Sequence, residues 1–192
     1  MATTIFSTTL STNDTGYEDE SARSKVPITG GAQDQIRVTF TGSTAGATWV
    51  DNAAIGIWNG DVTTQRFNCT ATPTELLFST NGLANGGHGF QLGASGSIIS
   101  DWVNFAGFTT SNLLIVIVDF NTLNGRARVA TASTGAFHMA LAATNSYNVA
   151  SFASSGVGNI DWVNLVSLIE VQTTAAAASN IMGLQSRIQL GH

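Results

Sequence analysis

Leu113-Leu114-Ile115-Val116-Ile117-Val118-Asp119-Phe120 is the stretch on which the reading of the fold turns. Seven of its eight residues are apolar. The run is strand length, and its near-continuous apolarity predicts a central strand buried on both faces. Working upstream, Ile98 to Phe105, Phe90 to Leu92 and Glu75 to Phe78 read as further strands. Ala54 to Trp58 runs into Asn59-Gly60, a hairpin signal because both residues tolerate positive φ, with Val62 to Cys69 as the return. Ile36-Arg37-Val38-Thr39-Phe40 alternates strictly, apolar on one face. Downstream, Leu123-Asn124-Gly125 turns the chain into Arg126 to Thr131; Phe137 to Ala142 and Trp162 to Thr173 follow. The pattern predicts about nine or ten short strands with turns every ~8–12 residues, the spacing of a sandwich or barrel. The expected fold is all-β: two packed antiparallel sheets, a β-sandwich of jelly-roll type.

Composition narrows the classes of function. The chain has 192 residues, enough for one domain, and 43% of them are hydrophobic. Charged residues make up 10%, against roughly 25% in ordinary globular proteins, and Lys25 is the single lysine. A net charge of −5 argues against a nucleic-acid binder that works by neutralising phosphates. One cysteine, Cys69, excludes an internal disulfide framework and a multi-cysteine zinc site. No window reaches ~18 uninterrupted apolar residues, so no membrane helix is expected.

Both ends read differently from the body. Residues 1–33 carry polar β-formers, the acidic run Glu18-Asp19-Glu20, then Lys25, Pro27 and Gly30-Gly31, without a sustained period. They are expected to form an extended N-terminal arm, docked on the body or on a neighbouring subunit. The β-sandwich domain is expected over 34–174. Residues 175–192 form a C-terminal tail in which Ile181, Leu184 and Ile188 suit a short amphipathic helix, although Ile188 and Leu190 could alternate as a strand. The N-terminus has no basic residue before Arg23 and no apolar block, so no secretory signal is expected.

A short repeat is the most specific local feature. Asp101-Trp102-Val103-Asn104-Phe105 recurs as Asp161-Trp162-Val163-Asn164-Leu165. One reading is structural: both copies enter corresponding strands, with Trp and Val in the core and Asp and Asn satisfying backbone groups. The other is a sugar site, in which Trp stacks on a pyranose face and Asp and Asn bond hydroxyls. Trp49, which follows the Gly42–Gly46 turn, is the most exposed tryptophan on this reading. The candidate glycan-contact residues are therefore Trp49, Trp102, Asp101 and Asn104.

The segment Ile98-Ile99-Ser100-Asp101-Trp102-Val103-Asn104-Phe105, followed by Leu113 to Asp119, is similar to a pattern in jelly-roll virion proteins of tailed bacteriophages. Ile36 to Phe40, the Ala54 to Asn59 hairpin and Leu168 to Thr173 fit the same layout, so the resemblance covers residues 36–173. A weaker similarity links it to β accessory domains of GDSL-type esterases. The resemblance implies a β-sandwich used for assembly or carbohydrate contact in a phage particle. It carries over no catalytic residue, because Gly60-Asp61 is followed by Val62-Thr63 rather than by Ser-Leu.

Signatures of chemistry are missing from the sequence. Gly93-Ala94-Ser95-Gly96-Ser97 has the wrong last residue for a nucleophile elbow. His88, His138 and His192 have no metal-pair spacing. Asp119, Asn121 and Asn124-Gly125 are out of register for a calcium loop. The Gly-rich Asn85 to Gly89 lacks the lysine of a phosphate loop. No catalytic residue, metal or cofactor is expected. The expected role is that of a non-enzymatic structural protein of a virion, a capsid decoration or a tail or fibre component. It would assemble in the host cytoplasm as a homo-oligomer with other virion proteins, through its arms and sheet edges. The alternative is a carbohydrate- or receptor-binding module contacting surface glycans.

Overall fold

A computed structural model describes residues 1–14, 20–60, 67–84, 86–121, 126–131, 137–141, 147–151, 159–160 and 162–174. Its strands are β1 (Thr3–Ser7), β2 (Thr12–Asp14), β3 (Ser21–Pro27), β4 (Gln35–Thr41), β5 (Thr48–Ile57), β6 (Thr74–Glu75), β7 (Phe90–Leu92) and β8 (Ser97–Ile99). They continue with β9 (Val103–Asn104), β10 (Leu113–Phe120), β11 (Ala127–Thr131), β12 (Phe137–Leu141), β13 (Asn159–Ile160), β14 (Trp162–Asn164) and β15 (Val166–Gln172). No helix occurs among the described residues.

Two antiparallel sheets make a β-sandwich. One has the order β1-β15-β4-β8, with β9 also on β4; the other has β13-β12-β3-β10-β5-β6, with β7 also on β5. A small third sheet, β14-β11-β2, lies beside them. The strict alternation of β4 does what its sequence predicts: Ile36, Val38 and Phe40 are buried and the residues between them are not. Phe40 meets Phe78 and Phe90 across the sandwich, with centroids 5.8 and 5.1 Å apart.

β10 is central, paired with β3 on one side and β5 on the other. Leu114, Val116, Val118 and Phe120 enter the core between the sheets. Ile115 and Ile117 point the other way, into a second cluster with Ala54, Phe67 and Cys69. That outer face is covered by irregular chain around residues 67–69 and 147–150, and such chain brings backbone carbonyls into a buried place. Arg23 of β3 answers them. Its guanidinium is fully buried and donates to the carbonyls of Phe67 (3.0 Å) and Val149 (2.6 Å). Burial pulls its pKa down to about 10, so it stays charged at neutral pH. Asp119 lies on the same face, accepting from the Ser21 hydroxyl and, at 3.3 Å, from the Tyr147 amide. Lys25 sits 4.0 Å from the Trp58 ring centroid and 4.8 Å from that of Phe67.

Several expectations need correction. Residues 1–33 do not form an extended arm: β1 is hydrogen-bonded to β15, and β3 lies inside the larger sheet between β10 and β12. Apolar periodicity could not reveal β3, because its outward residues Ser21, Arg23 and Lys25 are polar yet buried. The division at residue 33 therefore separates strands of the same sheets. The hairpin at Asn59-Gly60 is not a two-residue turn, since Trp58 bridges to Cys69 and the Asn59 amide donates to the Asn68 carbonyl. Ile98 to Phe105 is two strands, β8 and β9, not one. Trp162 to Thr173 likewise breaks at Leu165, whose φ is +59°. The two repeat copies do not enter corresponding strands, because β9 pairs with β4 whereas β14 pairs with β11. The acidic run up to Asp19, the strand return over 61–66, the turn at Asn124-Gly125, Asp161 and the tail 175–192 lie outside the described residues.

Leu114→Ala is expected to cost about 2–5 kcal/mol in equilibrium urea unfolding, since the site is enclosed by both sheets. Burial pushes the Cys69 thiol up to about 11, from an ordinary 9.0. At pH 8 its thiolate is then about a hundredfold rarer than that of an ordinary cysteine. Ellman's reagent should leave folded protein unlabelled on the minute scale and titrate one thiol once urea is added; fast labelling of the native chain would contradict the buried placement.

Candidate functional site

A cleft of about 370 Å³ lies on the edge of the smaller sheet. It is created by a register defect. On β4, Thr39 faces Ile99 and Ile36 faces Val103, so three steps on one strand oppose four on the other. The extra residue falls within Ser100-Asp101-Trp102, between β8 and β9. Bulges re-aim side chains at sheet edges, and this one is pinned: the Val38 amide donates to Ser100 Oγ at 3.0 Å, and the Ser100 amide donates to the Val38 carbonyl at 2.9 Å.

Three contacts tie Asp101 to Leu77 and Ser79. Its amide donates to the Leu77 carbonyl (2.7 Å), and its Oδ2 accepts from the Ser79 amide (2.9 Å) and hydroxyl (2.6 Å). The carboxylate thereby fastens the turn that carries Thr80, Asn81 and Gly82. That turn needs its glycine: a Cβ on Gly82 would stand 2.1 Å from the Phe78 carbonyl oxygen. Asn81 takes φ of +69°, a conformation asparagine tolerates. Asp101 Oδ1 has no hydrogen-bond partner among the described residues.

Trp102 is half-buried and lines the same cleft. The Arg37 guanidinium lies 4.4 Å from its ring centroid. Arg37 is itself fixed by Glu170, directly across from it on β15, with Nε and Nη2 both 2.9 Å from Oε2. The cation is thus neutralised by Glu170 while it stacks on the indole. Gln91, Ser97, Thr80 and Asn81 are exposed and complete a polar rim.

Of the four candidate residues, the fold brings two together, Asp101 and Trp102. Asn104 is exposed on β9, accepts from Gln35 Nε2 at 3.3 Å and borders a separate, smaller cleft with Phe105 and Ala106. Trp49 stands on β5 opposite Gln91, half-buried, its indole nitrogen enclosed without a partner among the described residues. In the second repeat copy Asn164 is buried, and neither atom of its carboxamide has a partner among the described residues, so it does not serve the local backbone as expected. The pairing of Arg37 with Glu170 is not visible in the sequence. The alternation of β4 does place Arg37 outward, but its pairing with Glu170 spans 133 positions and has no local sign.

A second polar pair, His88 Nδ1 and Glu75 Oε1 at 2.6 Å, ties the Gly-rich loop to β6. Among the described residues no three His, Cys, Asp or Glu side chains gather in a metal-binding group. The fold and the cleft define an all-β sandwich with a polar recess lined in part by Trp102. Comparison with protein-family models and with curated proteins finds no match.

Asp101→Ala strips the acceptor from the Ser79 amide and hydroxyl, which are both exposed. It should cost about 1 kcal/mol, read as a lowered Tm, with the sandwich otherwise intact by circular dichroism.

Proposed function

We propose that this protein is a non-enzymatic structural component of a virus particle, a capsid decoration or a tail or fibre protein, which assembles through its sheet edges. The observation that carries the reading is where the charges are. Lysines at sheet edges are a common guard against strand pairing between molecules. Here the single lysine lies in β3, an internal strand. Both edges of the smaller sheet, β1 (Thr-Thr-Ile-Phe-Ser) and β8 with β9 (Ser-Ile-Ile, Val-Asn), carry no charged residue at all. Edge strands without such charges suit a chain whose edges are covered by neighbouring copies or by other virion proteins.

Strand order supports a jelly roll beneath this role. Taking β1, β3, β4, β5, β7, β8, β10 and β15 as the principal strands, first pairs with last, second with seventh, third with sixth and fourth with fifth. That is a long antiparallel ribbon rolled into two sheets, the double Greek key found in viral capsid and lectin domains. Fold analogy alone cannot assign function, so the edges carry the argument. The place of action on this reading is the virion, assembled in the host cytoplasm.

A second reading, a carbohydrate-binding module, is favoured by one observation: the bulge delivers Asp101 and Trp102 to the same recess.

The assembly reading is tested by multi-angle light scattering and native mass spectrometry on the purified chain. A closed oligomer is expected, and Thr4→Lys with Ile99→Lys, both exposed edge positions, should shift it toward monomer. A wild-type chain that stays monomeric at every concentration, alone and mixed with its particle, would overturn the reading.

A further inference from the structure

The recess beside Trp102 has a chemistry more specific than glycan contact in general. We infer that it binds a neutral, hydroxyl-rich sugar residue, with the apolar face of the ring on Trp102 and a hydroxyl donated to Asp101 Oδ1. The inference rests on the carbohydrate-binding reading above and deepens it by naming the ligand class.

Four observations converge. The Arg37 guanidinium, 4.4 Å from the centroid, fixes the indole from one face, and no other ring or cation among the described residues stacks on it, so the sugar would take the opposite face. Preorganisation of this kind lowers the ordering cost of binding. Asp101 is equally fixed: Ser79 occupies Oδ2 through two hydrogen bonds, which leaves Oδ1 without a partner among the described residues, on a side chain that lines the recess. An ionised carboxylate only accepts, so its natural complement is an O–H donor. The rim adds groups that both donate and accept, Asn81, Gln91 and Ser97, matching hydroxyls that do the same. The volume, about 370 Å³, lies at the small end of ligand pockets, which span about 300–1,000 Å³, and suits a terminal sugar residue rather than a long chain.

Charge selects the class of sugar. The cation in the recess, Arg37, is neutralised by Glu170 through two 2.9 Å contacts. Asp101 has no cationic partner among the described residues. The local balance is therefore negative, and a sialic or uronic acid would bring a second carboxylate toward Asp101 with no unpaired cation to receive it. Neutral hexoses carry no such penalty.

The test is a two-part measurement on the full chain. Its probes are the methyl glycosides of glucose, galactose and mannose, set against N-acetylneuraminic and glucuronic acid, each titrated at millimolar concentration. Binding is read from amide chemical shifts by nuclear magnetic resonance. At least one neutral glycoside should shift residues 79–81, 91 and 97–102, while both acids leave them unmoved. Asp101→Asn keeps an oxygen for Ser79 but replaces the free acceptor with a donor; it should weaken binding by about tenfold or more. Trp102→Ala should abolish it, and the exposed Gln91→Ala, which leaves the fold intact, should weaken it several-fold. Preferential binding of the acids in this recess would overturn the neutral class and leave the carbohydrate module standing. Binding of a neutral sugar that all three variants retain would overturn the site. No response to any sugar, from protein with a native spectrum, would overturn both the inference and the reading it rests on.

Discussion

The constraint from which the rest follows is that β10 must hide both of its faces. A strand of the form Leu-Leu-Ile-Val-Ile-Val-Asp-Phe has no side to show to water. Its inner side chains meet the opposite sheet, as in any sandwich. The outer side chains Ile115 and Ile117 pack instead with Ala54, Phe67 and Cys69, under segments of irregular chain. Loop backbone carries unpaired carbonyls wherever it is buried. The cost is met from inside the sheet by Arg23, whose planar fork reaches the carbonyls of two separate segments. A buried guanidinium is tolerable only with such partners, so the arginine and the loops stabilise each other's burial.

The same arrangement explains where the few charges of this chain have gone. Arg23, Lys25 and Asp119 all serve the outer face of the larger sheet, in contact with carbonyls, aromatic rings or amides. Arg37 and Glu170 serve the outer face of the smaller one. A composition that first reads as poor in charge is, in three dimensions, one in which charge is spent on holding loops and a bulge in place. The edge strands of the smaller sheet themselves carry none, with Asp101 confined to the bulge between β8 and β9, and that distribution is the physical basis for reading the protein as a component of an assembly.

Legibility in the sequence follows the range of the interaction. β4, β7, β10 and β12 are readable because period and apolarity are local properties. β3 is not, since Ser-Ala-Arg-Ser-Lys-Val-Pro looks like a solvated segment until Phe67, Trp58 and Val149 are brought over it. The candidate site divides in the same way. Asp101 and Trp102 stand out as a repeated motif, but their joint presentation depends on one extra residue between β8 and β9. Asn104, three positions beyond Asp101, falls on the other side of that defect and borders a different cleft. Trp49 follows a glycine-bounded turn, as an exposed residue would, yet its indole nitrogen is enclosed.

By itself the sequence determined the all-β class, the double-sided central strand and the alternating strand β4. Each of these is written in side chains a few positions apart, where strand periodicity and turn chemistry act. Tertiary structure alone decided that the N-terminal segment is part of the sheets, that Arg37 is locked by Glu170 and laid on Trp102, and that one carboxylate oxygen of Asp101 is consumed by Ser79. Those outcomes depend on register between strands far apart in the chain, and a single-residue slip or bulge in that register turns a side chain from one face to the other.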